Sequence, residues 1–430
     1  MTDVSSGPAG PAGHQGAGPP SAPVTLSSWE GVREALRRKD LRQALYDEGA
    51  AVMADCLLTL HGPAHRERRR LENRLFRRDV FAHWEREVLG ATIDEAFAPY
   101  LAAGRGDLIP IGYRTTMNLT AFIAGIDRSA GTTEETEHLY RIVRTFSEGA
   151  TAVHSTRPRA ELDAELAGAM AAFEEEFFAP SVARRRALLA GAADGGTPDD
   201  GSVPADVLTT LLRNADDLHL PIDVVRREVA FYLQAGSHST ANAFTHTVDE
   251  LFRWSRSHPD DLDRAGDDPL FVQRCVHESL RLNPASPVAW RRPVSDITLS
   301  DGTEVAAGEL LVLDLATANR SVEHFGDDAA AFNPWRVTAD GVPAWGHSFG
   351  GGVHACVGME LDGGLECPAA LPAAGRGATA GDDHLFGTVA VMVSTLLRHG
   401  GRPDPDRPPA ADMSTSRTHF SSYPVVFTGS

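Results

Sequence analysis

Helical periodicity dominates the 430-residue chain, and its clearest instance is one continuous segment that runs from about Ile222 to Trp254 after Pro221. A second strong helical pattern covers Pro269 to Leu282. Between Pro287 and Leu315 the pattern changes to short strand-like pieces around an Asp-Gly turn. Because many helices accompany one small strand-rich region and no linker divides the chain, we predict a single mostly-α domain over residues 25–430.

The rest of the chain completes this outline. Further helices are predicted over Leu26–Tyr46, Ala64–Phe81, Glu85–Leu101, Thr115–Gly125, Glu134–Val153 and Ala160–Leu189. Ser27 or Ser28 is expected to cap the first of them. Residues 1–24 are expected to be a disordered leader, and residues 190–204, rich in glycine, aspartate and proline, a surface loop.

Composition excludes several classes of protein. Hydrophobic residues make up 42% of the chain, but no run approaches the roughly 18 apolar residues that a membrane span needs. The N-terminus lacks the basic start and apolar stretch of a secretory signal. A formal net charge of −19 argues against general nucleic-acid binding. Four cysteines without CxxC spacing argue against a disulfide scaffold or zinc ribbon, so we expect a soluble protein of the reducing cytoplasm.

The most specific motif is the segment Phe349 to Gly358, FGGGVHACVG. Its three consecutive glycines let the backbone turn tightly and approach a flat, bulky group. Cys356 comes just before a helix-like Met-Glu-Leu segment, where the helix N-terminus and backbone N–H groups would stabilise a thiolate. A lone cysteine is usually an inert core residue, but the glycine loop and the neighbouring His354 favour a functional thiol here.

Two weaker patterns acquire meaning only in combination. Glu278 and Arg281, spaced i, i+3 on the helix before Pro284, can form a bidentate ion pair, although such pairs are common on protein surfaces. Gly236 lies near the middle of the long helix, where glycine costs about 1 kcal/mol relative to alanine. A glycine at such a place usually has a packing or functional reason.

A basic stretch from His65 to Arg78 holds seven arginines in an otherwise acidic chain. On a helical wheel His65 and Arg69 lie together, whereas a second group of arginines falls on an outward arc. That group comprises Arg66, Arg70, Arg74 and Arg77. The arc is interpreted either as a solvated face or as a docking site for an acidic partner.

The segment Phe349 to Gly358 resembles the cytochrome P-450 signature F-G-x-G-x-H/R-x-C-x-G at every specified position. The resemblance extends from about Ser28 to the C-terminus, and its motifs occur in the same order as in the family. It implies a mostly helical, prism-shaped domain with a small β region and one haem b, whose iron takes the thiolate of Cys356 as axial ligand. It also implies a monooxygenase that uses O2 and two electrons from a reductase–ferredoxin pair.

The resemblance assigns roles to further residues. In the family pattern Glu278, Arg281 and Arg336 form a structural cluster beneath the haem. The segment HGPAHRERR resembles the family's helix that reaches the haem propionates, and four residues are implied as propionate partners. They are His65, Arg69, Arg291 and His354. Arg292 competes for the role of Arg291. The remaining residues assigned to haem binding are Phe349, Gly350, Ala235, Gly236 and Gly358.

The long helix departs from the family at its oxygen-binding groove. The family pattern is A-G-x-acid-Thr, with the helix opened locally, but here His238 replaces the acid and Ser239 the alcohol. We assign proton delivery to His238, Ser239 and the adjacent Thr240, and expect a pH profile that follows a histidine-like group, since unperturbed imidazole has a pKa of about 6.5. Alternatively, His238 is merely a polar residue on the back of the helix.

The expected substrate is a small or medium apolar molecule, and the resemblance to the family suggests a role in specialised metabolism. Candidate contacts are Phe231, Ala235, Ser239, Val288, Ala289 and Trp290, and residues 52–58 are expected to form a short lid. The expected electron donor is a ferredoxin or another acidic protein, which would bind near the outward arginines. We expect neither nucleic acid nor a membrane as a partner. Two alternatives stay open, a haem-thiolate catalyst of oxidative coupling or peroxide-driven oxidation, and a non-catalytic haem sensor.

Two further departures are expected. Nothing foldable is predicted before the helix at Trp29, so the domain would be N-terminally shortened, with an incomplete β region and a more open substrate mouth. After Cys356 the helix is expected to break at residues 362–364 and to resume near Asp383. The insertion, about residues 362–383, contains Cys367 and has no explanation beyond a surface loop.

Overall fold

The structure is a computed structural model that describes residues 22–193, 203–367, 380, 381 and 383–428. The helices are α1 Trp29–Arg37, α2 Ala50–Met53, α3 Gly62–Glu72, α4 Arg78–His83, α5 Leu89–Ala103, α6 Leu108–Ala124, α7 Thr133–Ala150, α8 Arg159–Phe173, α9 Ala179–Ala193, α10 Val207–Arg213, α11 Ile222–Trp254, α12 Pro259–Ala265, α13 Pro269–Leu282, α14 Leu315–Ala318, α15 Val322–Phe325, α16 Met359–Gly363 and α17 Thr388–Arg398. The strands are β1 Val24–Leu26, β2 Leu41–Gln43, β3 Arg105–Asp107, β4 Val288–Pro293, β5 Ile297–Thr298, β6 Glu304–Val305, β7 Leu311–Asp314, β8 Gly401–Pro403, β9 Ala410–Ala411, β10 Phe420–Ser422 and β11 Pro424–Phe427. The predicted mostly-α fold with a small β region is confirmed.

Helix α11 is the longest element, and its bounds are those predicted. Pro221 precedes it in an extended conformation, as suits a residue without a backbone N–H. α6 packs closely alongside: the hydroxyl of Thr116 donates to the carbonyl oxygen of Ser237 at 3.0 Å, and a side chain on Gly112 would meet the ring of Phe244 at 3.2 Å. Small residues therefore allow the close approach of the two helices.

Two large hydrophobic clusters flank α11. One joins its C-terminal half to α5, α6, α13 and α17 and contains the buried rings of Phe244 and Phe271. The other joins its N-terminal half to α2, α7, α8 and α10 and contains Phe146 and Phe173. The central turns of α11, residues 235–240, thus lie where the two clusters meet. In the described part of the chain, no helix is both long and apolar enough to cross a membrane.

The principal sheet has four strands in the order β1-β7-β4-β2, with β1 parallel to β7 and the other pairs antiparallel. Its first strand, β1, shows that the expectation of nothing foldable before Trp29 is wrong. The expectation of an incomplete β region stays a prediction. Leu26 packs into the hydrophobic cluster under the sheet, which holds this short strand in place. Of the predicted leader, residues 1–21 lie outside the described residues.

The first helix is much shorter than predicted, because α1 ends at Arg37 and β2 follows it. Ser28 caps α1 and accepts a hydrogen bond from the Gly31 amide. At the other end Arg38 is extended, and its guanidinium donates to both carboxylate oxygens of Asp40, at 2.9 and 2.6 Å. Pairing of β2 with β4 therefore overrides the helical spacing of this segment.

Other boundaries differ from the predictions where the backbone leaves the α region or a cap intervenes. The segment 64–81 divides into α3 and α4, because Phe76 and Arg77 adopt non-helical conformations. α6 begins well before Thr115, where the carboxylate of Asp107 caps its N-terminus. The predicted break after Cys356 is present at the end of α16, but the next helix is α17. Residues 368–379 and 382 of the predicted insertion, and 194–202 of the predicted surface loop, lie outside the described residues.

Candidate cofactor-binding and active site

Glycines shape the loop that carries Cys356. Gly350 and Gly352 have φ angles of 67° and 62°, in the left-handed region that favours glycine. A side chain on Gly352 would also collide with the backbone of α1 at Leu36. The Cys356 amide donates to the carbonyl oxygen of Phe349 at 2.9 Å and closes the loop. The sequence thus folds into a tight turn that presents one thiol just before α16.

The thiol of Cys356 is accessible although protein atoms surround it. Its side chain is accessible to solvent, yet loss of hydration among the surrounding protein atoms raises its pKa to about 11. The amide of Gly358 donates to the sulfur and opposes this rise. Cys56 and Cys275 are buried and Cys367 is half-buried. Cys356 is therefore the most accessible thiol of the four.

Four cationic or protonatable side chains surround the loop. His65 and His354 lie with ring centroids 4.4 Å apart, and Nε2 of each is buried without a hydrogen-bond partner. Arg69 donates to the carbonyl oxygen of Ala355 at 2.7 Å. Arg291 donates to two neutral oxygens, each at 2.9 Å. Burial lowers the pKa of His65 to about 4, of His354 to about 3 and of Arg291 to about 10.

These side chains fit the propionate edge of a haem. Burial also lowers the pKa of Arg69, and neither it nor Arg291 forms a salt bridge with any described residue. Cations that lose hydration without a counter-ion, next to unpartnered imidazole nitrogens, require an anionic acceptor. The two carboxylates of haem would meet that requirement. The structure thus brings all four predicted propionate partners together around Cys356.

The choice between two neighbouring arginines is decided by strand geometry. Successive residues of β4 point to opposite faces. Arg291 is buried, whereas the half-exposed Arg292 donates to the carbonyl oxygen of Gly308 at 2.6 Å and lies 3.9 Å from the carboxylate of Asp47. Arg292 has its own partners away from the loop, so the structure favours Arg291 as the propionate partner.

The central turns of α11 connect to the Cys356 loop through α16. Thr240 forms a hydrogen bond with the carboxyl group of Asp362, whose pKa burial raises to about 6. Ser239 donates to the carbonyl oxygen of Ala235 at 2.6 Å, one turn back. α11 is continuous here, so the local opening that the resemblance implies is absent. A side chain on Gly236 would collide with Thr120 of α6, which provides a packing reason for that glycine; its role in haem binding stays a prediction.

His238 points toward α6 and the segment before β10. Its Nδ1 forms a hydrogen bond with the hydroxyl of Tyr113, and its ring packs edge-on against His419 with centroids 5.1 Å apart. Burial, reinforced by the positive charges of Arg417 and Arg144, holds the pKa of His238 well below its usual range. This lowered pKa argues against the expectation that the imidazole changes charge across the working pH range. That His238, as a neutral imidazole, takes part in proton delivery stays a prediction.

The imidazole of His238 should stay neutral from pH 8 down to about pH 5.5, because protonation would place a cation among desolvating groups beside two arginines. Histidine-selective 15N labelling checks this, with His238→Asn to identify the resonances and the exposed His83 as a reference. A titration midpoint between pH 6 and 7 for His238 would restore the original pH-switch hypothesis.

The predicted ion cluster beneath the site is assembled. Arg281 donates to both carboxylate oxygens of Glu278, at 2.8 and 2.7 Å, and Arg336 donates to one of them at 3.0 Å. Arg281 is fully buried and also donates to the carbonyl oxygens of Asn319 and Ala329, at 2.7 and 2.6 Å. These bonds tie α13 to the chain between α14 and the Cys356 loop, which agrees with the structural role predicted for the cluster.

The predicted substrate contacts divide into two groups. Phe231 is buried in the N-terminal hydrophobic cluster of α11, whereas Val288, Ala289 and Trp290 are half-buried on β4 beside the propionate partners. Residues 52–58, the predicted lid, are instead largely part of the core: four of their side chains are buried. The amide of Leu57 also donates to the carboxylate of α11 Glu228 at 3.0 Å, so this segment is anchored and does not resemble a free lid.

Two charged residues near the site are not among those predicted from the sequence. Asp362 follows Cys356 by six residues, and the turn spacing of the following helix could have revealed it. Arg417 lies far along the chain, after β9, and lines a cavity together with His238. No local pattern marks Arg417, because tertiary folding alone brings it beside α11.

An accessible cysteine on a glycine-rich loop, bordered by cations without counter-ions, is an arrangement that suits a haem held through its thiolate. Residues 267–362 match the family model described as "Cytochrome P450". The matched range contains the ion pair of Glu278 and Arg281, and Cys356.

Solved structures share the whole fold. The crystal structure of CalO2 has a TM-score of 0.70 and 19% sequence identity and covers 94% of this chain and 90% of its own. The post-tailoring hydroxylase HmtN of himastatin biosynthesis has a TM-score of 0.62 at 18% identity, with the same coverages. The cytochrome P-450 fold thus extends well beyond the range that the family model matches.

Curated relatives are similar over shorter stretches. The cytochrome P-450 monooxygenase PikC of Streptomyces venezuelae is 31% identical over 185 residues, which span 42% of this chain and 41% of PikC. Linalool 8-monooxygenase of Pseudomonas putida is 33% identical over 162 residues, or 37% of each chain. The chain therefore aligns with less than half the length of either relative.

Proposed function

We propose that the protein is a haem-dependent monooxygenase that inserts one oxygen atom of O2 into a small or medium organic substrate. The observation that supports this proposal is the accessible Cys356 thiol on its glycine loop. It lies next to Arg69 and Arg291, which lose hydration without a counter-ion. A haem bound at this thiol would supply oxygen activation, which axial thiolate ligation favours. In the overall reaction a substrate C–H bond becomes C–OH, and two electrons and two protons reduce the second oxygen atom to water.

The chain's own residues would hold and orient the reactants. Gly358 would donate its amide hydrogen to the cysteine sulfur, as it does here. Arg69 and Arg291 would neutralise the propionates. Ser239 and Thr240, both on the central turns of α11, carry hydroxyls that could hold and pass a proton once they exchange their present partners.

The test is oxygen-isotope labelling with the haem-loaded full chain, NADPH and a ferredoxin–reductase pair, beginning with linalool, the substrate named for one relative, and other small apolar molecules. We expect one 18O atom from 18O2 in the product. Product that carries oxygen from water, or coupled product without added oxygen, would favour the non-hydroxylating alternative. Ligand binding without any product would favour a sensor.

The electron donor is proposed to dock on the outward arginines. Arg66, Arg70 and Arg74 are exposed, whereas Arg77 is paired with Asp79 at 2.6 Å. Reversing the charge of the first three should slow reduction by an acidic ferredoxin about tenfold or more at low salt, because steering of oppositely charged partners raises association rates. Stopped-flow reduction at several ionic strengths measures this.

The matched control reverses three exposed arginines elsewhere on the surface that form no salt bridge with a described residue, namely Arg186, Arg213 and Arg256. It should leave the reduction rate within about twofold, and substrate binding should be unchanged in both triple variants. Equal slowing in both would show that total charge, and not this arc, governs the rate.

A further inference from the structure

A polar cavity of about 280 Å³ lies on the His238 side of α11, between α7, the chain that follows α7, and the segment before β10. Hydroxyl groups and charged side chains form most of its lining. The charged ones are Arg141, Arg144, Arg157, Arg417, Glu148, Glu165 and Asp412. Four cations thus face three carboxylates, which leaves an excess of positive charge in a chain whose formal net charge is −19.

The three carboxylates have other partners. Glu148 and Glu165 both bind Arg157, at 3.1 and 2.6 Å. Asp412 accepts hydrogen bonds from the amide and the hydroxyl of Ser414, at 2.9 and 2.6 Å. Asp412 also acts through its charge on Arg144 and Arg417, so this one carboxylate is set against the three remaining arginines of the cavity.

Arg141, Arg144 and Arg417 form no salt bridge with a described carboxylate, and Arg417 is the least exposed of the three. Arg417 donates to the hydroxyl of Thr151 at 3.0 Å and to the carbonyl oxygen of Ala285 at 3.4 Å. Arg144 lies over the ring of Tyr140, 5.9 Å from its centroid. Burial lowers the pKa of Arg417, a sign of lost hydration. A guanidinium that loses water without gaining a carboxylate is costly, so the site suits an anion from outside the chain.

The cavity is close to the candidate haem site. Tyr46, just after β2, is near enough to feel the charges of Arg417, Arg291 and Cys356. One side chain thus lies near both the cavity and the candidate haem site, which is what connects an anion at Arg417 with the substrate.

We propose that Arg417 and Arg144 bind a carboxylate of the substrate, so that the substrate is an apolar molecule with one anionic end. The identity of this ligand as the substrate rests on the proposed monooxygenase function. The binding of a carboxylate at these arginines does not. Guanidinium groups suit the task, because they bind carboxylates through paired, charge-assisted hydrogen bonds.

Calorimetric titration of the haem-loaded full chain tests the proposal with decanoate and decan-1-ol, which share an alkyl chain and differ in charge. Decanoate should bind at least tenfold more tightly than decan-1-ol. Arg417→Gln should weaken decanoate binding at least tenfold and change decan-1-ol binding less than twofold, whereas Arg417→Lys should retain most of the selectivity for decanoate. The exposed Arg186→Gln is the matched control and should change neither affinity.

Two outcomes would overturn the proposal. One is equal affinity for decanoate and decan-1-ol in the parent protein, or equal loss of both in Arg417→Gln with an unchanged melting temperature. The other is binding of acetate as tight as that of decanoate, which would make the cavity a site for small free anions. Failure of oxygen insertion with intact, Arg417-dependent carboxylate binding would instead refute the proposed function and leave this site standing.

Discussion

Replacing Cys356 with histidine should abolish the strongly red-shifted Soret band that a reduced, carbon-monoxide-bound haem-thiolate protein shows. The thiolate donates electron density to the iron, and imidazole cannot reproduce that donation. Oxygen insertion should fall below detection in the same variant. The measurement is a difference spectrum of the reduced protein with and without carbon monoxide, at equal haem content.

The other cysteines provide the controls. Cys56→Ala, Cys275→Ala and Cys367→Ala should all retain the band, because Cys56 and Cys275 are buried in hydrophobic clusters and the half-buried Cys367 sulfur lies 3.2 Å from the side-chain oxygen of Gln273. A normal band in Cys356→His, or its loss in one of the three controls alone, would move the axial ligand away from Cys356.

Replacing Arg281 with methionine should lower the free energy of unfolding by about 3–5 kcal/mol, because removing one partner leaves the other charge buried and unpaired. The side chains of Arg281 and Glu278 are 0% and 4% exposed. The variant also leaves the carbonyl oxygens of Asn319 and Ala329 without their donor. Chemical denaturation at constant haem content measures the loss.

An exposed pair with the same spacing is the matched control. Arg33 and Glu30 are also paired at i, i+3, but their side chains are 44% and 57% exposed. Arg33→Met should therefore cost less than about 1 kcal/mol, since water screens exposed ion pairs. If the two variants lose equal stability, burial is not what makes the Glu278 cluster important.

Helices whose signals are local could be predicted well. α11 and α13 have the predicted bounds, because apolar spacing and prolines near their starts mark them in the sequence itself. The segment after Arg38 was predicted as helix and is strand β2, because its partner β4 lies about 250 residues further along the chain. β1 was missed for the same reason, since it pairs with β7.

The candidate site divides in the same way. The glycine loop with its cysteine, the i, i+3 pair on α13 and the basic face of α3 could all be found in the sequence, because each depends on residues a few positions apart. Folding was needed to show that Arg291 is buried and Arg292 is not, that burial beside two arginines lowers the pKa of His238, and that Arg417 reaches the cavity beside α11. Charge state and counter-ions depend on hydration and on groups distant in the chain, and only folding brings these together.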